Sequence, residues 1–186
     1  MKAVLMILAL FFMQCGNPSN VRDVELPAAD GRTIAMDSVL DAHPHTSFLF
    51  FSPECPVCIH SVPELLQIDS IHQSMVFVYP GNYFDAQQLL QFHQEHRIKA
   101  PAVIDTANVL VELLDAVVMP QAIVADSEGV VVYSGAIDDR SPALGERRQV
   151  VTQRYLGAVL DSLASGGKIP FASTPVHGCY IERKEH

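Results

Sequence analysis

The chain has 186 residues, 49% hydrophobic and 18% charged, which suits one domain with a sizeable core and excludes a disordered chain. Twelve basic against 21 acidic residues give a formal net charge of −9, and a surface of that sign repels phosphate backbones and argues against a nucleic-acid partner. Four cysteines are too few for a disulfide-dense scaffold.

Met1-Lys2 is followed by an apolar run from Ala3 to Met13. One positive side chain before a short apolar stretch is the layout of an export signal, and the run is too short to span a bilayer comfortably. It ends at Gln14-Cys15-Gly16, and Asn17-Pro18-Ser19-Asn20 then reads as a flexible tether. A cysteine directly behind the apolar segment resembles a bacterial lipoprotein signal, in which Cys15 carries lipid and anchors the mature chain in the cell envelope, facing the periplasm. Gln14 stands where such signals favour a small residue, and a plain cleaved signal with an incidental cysteine is the alternative. The expected organisation is a signal over 1–14, a tether over 15–21, a folded domain over 22–165 and a tail over 166–186. Outside the cytoplasm thiols tend to pair, which bears on every other cysteine.

Along the mature chain, Val24-Glu25-Leu26 and Arg32-Thr33-Ile34 flank Ala29-Asp30-Gly31, a hairpin signal. Thr46 to Phe51 is β-branched and aromatic, the composition of a buried central strand. Cys55 to about Gln73 reads as a helix with Ile59, Val62, Leu65, Leu66 and Ile68 inward; Pro56 suits its first turn and Pro63 should kink it. Met75 to Tyr79 is a strand, Asp85 to His96 a helix with Leu89, Leu90 and Phe92 inward, Ala102 to Ile104 a strand, and Asn108 to Leu114 a short helix. Gln121 to Ala125 and Val130 to Tyr133 are strands around the turn Asp126-Ser127-Glu128-Gly129. Glu146 to about Ala164 reads as the last helix, and Lys168 to His186 as irregular. This alternation implies an α/β domain with a mixed sheet.

The most informative stretch is Phe50-Phe51-Ser52-Pro53-Glu54-Cys55-Pro56-Val57-Cys58. A strand runs into Cys-x-x-Cys at the start of a helix, where free N–H groups and the positive dipole end stabilise a thiolate at Cys55. Cys58 lies one turn on, near enough to attack a mixed disulfide at the first sulfur and close the pair. Zinc usually needs two such pairs or added histidines at metal spacing, and His93 and His96 lie far off. Covalent haem needs a histidine directly after Cys58, where Ile59 stands. A purely structural disulfide remains as the plain alternative.

These residues resemble the exported redoxins of the thioredoxin fold, related to the alkyl hydroperoxide reductase/thiol-specific antioxidant superfamily. Phe50 with Cys55 and Cys58 matches the F-x4-C-x2-C pattern. Val118-Met119-Pro120 resembles the loop whose cis-proline faces the dithiol, and Gly129, Tyr133, Gly135 and Asp138 fit the hairpin that follows. Thr174-Pro175-Val176-His177-Gly178-Cys179-Tyr180-Ile181 is similar to the G-C-x-I tail of one group of bacterial redoxin-domain proteins. The resemblance implies a central mixed β-sheet flanked by helices. It further implies a thiol–disulfide oxidoreductase that acts on protein thiols and disulfides with an unidentified redox partner and needs no organic cofactor. Cys55 would attack, Cys58 resolve and Pro120 support the substrate chain.

Two positions depart from thioredoxins: Glu54 stands in place of tryptophan before the first cysteine, and Leu49 in place of a buried acid. A carboxylate at Glu54 opposes a thiolate at Cys55. A peroxidase is the second reading, but neither cysteine satisfies P-x-x-x-[ST]-x-x-C: for Cys55 the proline position is Phe48, and for Cys58 it is Phe51. A copper-chaperone-like metal module is the third, although such proteins on this fold place three residues between their cysteines. The scattered acids read as surface, with a local ion pair in Asp138-Asp139-Arg140. Cys179 has no partner except the dithiol or another chain once Cys15 carries lipid. About 13 residues beyond Gly166 span up to roughly 43 Å when extended, so the tail reaches the proline-loop face. There Cys179 would be a second resolving thiol or, with His177, part of a soft-metal site; an incidental tail thiol is the plain alternative.

Overall fold

The computed structural model describes residues 18–183; the segment expected to be an export signal and Cys15 fall outside them. Among the described residues, the chain opens with a 3-10 turn, Val21–Asp23, where the Asn20 side chain accepts from the Arg22 amide. A small hairpin follows, β1 (Glu25–Pro27) and β2 (Thr33–Ala35). Then come α1 (Met36–Ala42), β3 (His45–Phe50), α2 (Pro56–His72), β4 (Met75–Pro80), α3 (Ala86–His96), β5 (Ala102–Asp105) and α4 (Val109–Leu113). The remainder is β6 (Val118–Met119), β7 (Gln121–Asp126), β8 (Val131–Gly135), α5 (Tyr155–Ala164) and β9 (Cys179–Tyr180).

The central sheet has the order β5-β4-β3-β7-β8, with β3–β4 and β4–β5 parallel and β3–β7 and β7–β8 antiparallel. This is the expected mixed sheet flanked by helices. Alternation along β3 divides the core in two. Leu49 and Phe51 point into one layer with Val62, Leu65, Phe77, Phe92, Leu156 and Cys58. Phe48 and Phe50 point into the other with Met36, Leu40, Val78, Leu110 and Ile123. A strand buried on both faces needs an uninterrupted apolar run, which explains the composition of residues 46–51. The β7–β8 turn forms where expected: the Asp126 carboxylate accepts from the amides of Glu128 and Val130, and Gly129 supplies φ +82.

Several expectations need correction. The last helix starts at Tyr155, not Glu146, because backbone around residue 152 is bound elsewhere. Asp139 accepts from the amides of Thr152 (2.8 Å) and Gln153 (3.1 Å) and from the Thr152 hydroxyl, while its own amide donates to Gln153 O. α2 spans Pro56–His72 with Pro63 inside it, as the sequence led us to expect. Its buried stripe is Cys58, Ser61, Val62, Leu65 and Ile68, which turns Ile59 outward; on α3 it is Leu90 that faces solvent. The irregular tail contains a strand, β9, paired antiparallel with β6. The acids are not all surface: Glu64, Asp105, Asp138 and Asp139 are buried.

Candidate active site

β3 ends at Phe50, and the Phe51 amide still donates to Val78 O (3.0 Å), so the chain leaves the sheet at a fixed point. Residues 52–55 turn, with the Cys55 amide donating to Ser52 O. Cys55 is then the N-cap of α2, with extended φ −80 and ψ 115, and Pro56 occupies the first helical position. Proline lacks the N–H that would be unpaired there and has a φ suited to the helix. Cys58 falls one turn inside, fully buried, while Cys55 is 3% exposed.

The loop opposite is built around Pro120. The Met119–Pro120 bond is cis, as the resemblance implied. The Gln121 side chain folds back on this loop: its Oε1 accepts from the amides of Val117 (2.9 Å) and Val118 (3.3 Å), and its Nε2 donates to Ser134 Oγ (3.1 Å). Gln121 thus fixes the approach to the proline. Sequence reading missed it, since a glutamine at the head of a strand carries no signal of its own. The Cys55 sulfur lies 3.4 Å from Met119 O, to which it can donate only in its protonated form.

Cys179, on the paired tail strand, comes to the same place. Its Sγ lies 2.6 Å from Cys55 Sγ. Among the described residues, Cys55, Cys58 and Cys179 are all free thiols. His177 lies beside them in a recess of about 160 Å³, together with Pro56, Val57, His60, Leu144 and Arg147. Among the described residues, no group of three or more His, Cys, Asp or Glu is arranged to hold a metal ion.

The three sulfurs divide their roles by environment. The Cys55 thiol is brought down to about 5, first by the hydrogen bond from the Cys58 thiol and further by that from Cys179, against the opposing effect of burial. Burial pushes the Cys58 thiol well up, and the Cys55 sulfur adds to this. Burial likewise raises Cys179, to about 11. At neutral pH the arrangement is therefore one thiolate held by two thiol donors. Glu54, expected to oppose that thiolate, is exposed, and water screens its charge. Leu49, at the position of the missing acid, packs in the same core layer as Cys58.

A second polar pair sits in that layer. Tyr79 Oη and His93 Nε2 are 2.7 Å apart and buried. Burial holds His93 down at about 4, so its neutral ring accepts from the tyrosine. His93 lies four residues after the inward Leu89 on α3, and that spacing was the available sign that it faces the core.

Solved structures share this fold. An uncharacterized conserved protein from Geobacillus kaustophilus superposes with a TM-score of 0.73 at 23% identity, over 92% of this chain and 95% of its own. A hypothetical protein from Sinorhizobium meliloti gives 0.69 at 22%, over 88% and 92%. A secreted disulfide oxidoreductase from Mycobacterium tuberculosis, homologous to E. coli DsbE, gives 0.50 at 16%, over 59% and 80%. No curated protein matches the chain. The AhpC/TSA family model matches residues 19–134, a span of more than half the chain that holds the dithiol, the cis-proline and most of β8, and the protein therefore belongs to the AhpC/TSA family.

Proposed function

We propose that the protein is an extracytoplasmic thiol–disulfide oxidoreductase that exchanges disulfides with protein substrates through Cys55 and Cys58. The observation that carries this reading is the Cys55 sulfur, set at the head of α2 against the cis-proline loop and held as a thiolate by its neighbours. That thiolate attacks one sulfur of a substrate disulfide. A bond forms to Cys55 and the substrate's other sulfur leaves with the electron pair. Cys58 gives its proton to the departing thiolate, attacks Cys55 Sγ, and releases the second substrate sulfur as the enzyme disulfide closes. The reverse sequence oxidises a substrate dithiol. Pro120 supports this chemistry as a platform without an N–H.

Cys55→Ser should abolish reduction of a model protein disulfide, and the double variant Cys58→Ser/Cys179→Ser, which lacks both neighbouring thiols, should accumulate a mixed disulfide with it. Wild-type exchange rates in both variants would reject the reading. Peroxide reduction is the second reading, favoured by membership of the AhpC/TSA family. It predicts dithiothreitol-dependent loss of hydrogen peroxide that Cys55→Ser eliminates.

The basic and apolar residues Lys2 and Ala3–Met13 support export, and Cys15 supports a lipid anchor in the bacterial cell envelope. A single acyl chain anchors only marginally, whereas two or more hold a protein firmly. Cys15→Ser should move the protein from the membrane fraction to the soluble one; equal retention of both forms would reject the anchor.

A further inference from the structure

Residues 172–183 cross the dithiol as a strap fixed at both ends. At the near end, the Ser134 amide donates to Ala172 O and the Thr174 amide to Ser134 O. The Thr174 hydroxyl accepts from the Ala136 amide (2.9 Å) and pairs with Tyr133 Oη (2.8 Å). At the far end, Ile181 is buried in the Phe50 layer and its amide donates to Val117 O. Asn108 Nδ2 donates to Glu182 O (2.9 Å), and Arg183 Nη2 donates to Ala116 O (2.7 Å) and Asp115 Oδ1 (2.9 Å).

Between these anchors β9 lies in register on β6, Cys179 opposite Met119 and Tyr180 opposite Val118. A side chain at Gly178 would collide with the Met119 carbonyl and meet Pro120 Cδ at 3.3 Å. The close approach of the strap to the cis-proline loop thus depends on glycine. The strap therefore occupies the backbone edge beside Pro120 where an extended partner chain would add as a strand, and it delivers a sulfur to Cys55.

We propose that Cys179 is a third redox thiol of this site and opens a second route, beside direct exchange at Cys55, by which the disulfide reaches partners. This rests on the reading of Cys55 and Cys58 as an exchanging dithiol. The Cys179 thiolate attacks Cys55 Sγ of the Cys55–Cys58 disulfide. The Cys55–Cys179 bond forms as the Cys55–Cys58 bond breaks, and Cys58 leaves with the electron pair and takes up the proton Cys179 lost. No electron is gained or lost overall, so the isomerisation needs no oxidant. A thiolate of a partner protein then attacks Cys179 Sγ and Cys55 departs as thiolate. A second partner thiol attacks the partner sulfur bound to Cys179, closing the partner's disulfide and releasing Cys179. The partner dithiol is oxidised and the enzyme disulfide reduced; the reverse sequence carries electrons the other way. Exposure supports the order, since Cys179 is half-buried whereas Cys55 and Cys58 are 3% and 0% exposed.

The test is disulfide mapping of the wild-type protein poised in oxidised and reduced dithiothreitol, acid-quenched, alkylated and digested. Peptides joined Cys55–Cys58 and Cys55–Cys179 should both be found. Oxidised Cys58→Ser should give the Cys55–Cys179 link within one chain. Cys179→Ser should slow exchange with a reduced dithiol peptide roughly tenfold while still forming Cys55–Cys58. Full alkylation of Cys179 at every poise, or wild-type exchange by Cys179→Ser, would overturn the proposal and leave the dithiol reading standing. Wild-type exchange by Cys55→Ser would overturn both.

Discussion

Cys55 owes its character to neighbours that a linear motif does not contain. The Cys-x-x-Cys spacing made the attacking sulfur and its partner legible, and proline at the next position marked the helix start. The contribution of Cys179 was not legible as a contact, because it comes from 124 residues away. Reach alone allowed it. The thiolate should persist down to pH about 5, since adding a proton there costs the hydrogen bonds from Cys58 and Cys179. Ultraviolet thiolate absorbance of the reduced protein should be level at neutral pH and fall as pH drops through 5. In Cys58→Ala the midpoint should move upward, because the first donor is lost. Buried carboxylates were the least legible residues. Asp105 and Asp139 look like surface acids in the sequence; only the amides that converge on them explain their burial.

At the level of elements, α4 depends on one such carboxylate. Asp105 ends β5, and its oxygens accept from the amides of Val109 (2.7 Å), Leu110 (2.8 Å) and Val111 (3.1 Å). These are N–H groups that a five-residue helix cannot satisfy internally. Asp105→Ala should therefore destabilise the protein by about 1–3 kcal/mol, read as a lower urea midpoint with unchanged slope. Because Asn108 at the head of α4 holds Glu182, and Glu112, Asp115 and Ala116 hold Arg183, the same variant should speed alkylation of Cys179. Strands β3, β4, β5, β7 and β8 were legible because their apolar runs and turn residues are local. β9 was not: two residues form a strand only because Val118 and Met119 lie opposite. α1 carried no start signal, its N-cap being Ala35 without a capping side chain. The start of α5 was misplaced because Asp139 claims amides that otherwise read as helical.

Across the whole molecule, the strap ties the last described residues to the middle of the chain, with Ile181 in the core and Arg183 bridging Asp115 and Glu112. The mixed sheet and its two core layers were legible as a fold class, and the family match ends at residue 134, before α5 and the strap. The contact between Cys55 and Cys179 has a topological consequence. Joined, they close a ring of 124 residues, which removes about 5 kcal/mol of chain entropy from the unfolded state. The Cys55–Cys58 ring removes only about 2 kcal/mol. In urea the short ring should therefore outweigh the long one by on the order of a hundredfold, and disulfide mapping of the denatured, oxidised chain should find Cys55–Cys58 almost alone. On dilution out of urea the long ring should appear only as the sheet and strap assemble. The long ring is thus a covalent mark that only the folded chain can carry, and opening it leaves the strap held by its non-covalent anchors alone.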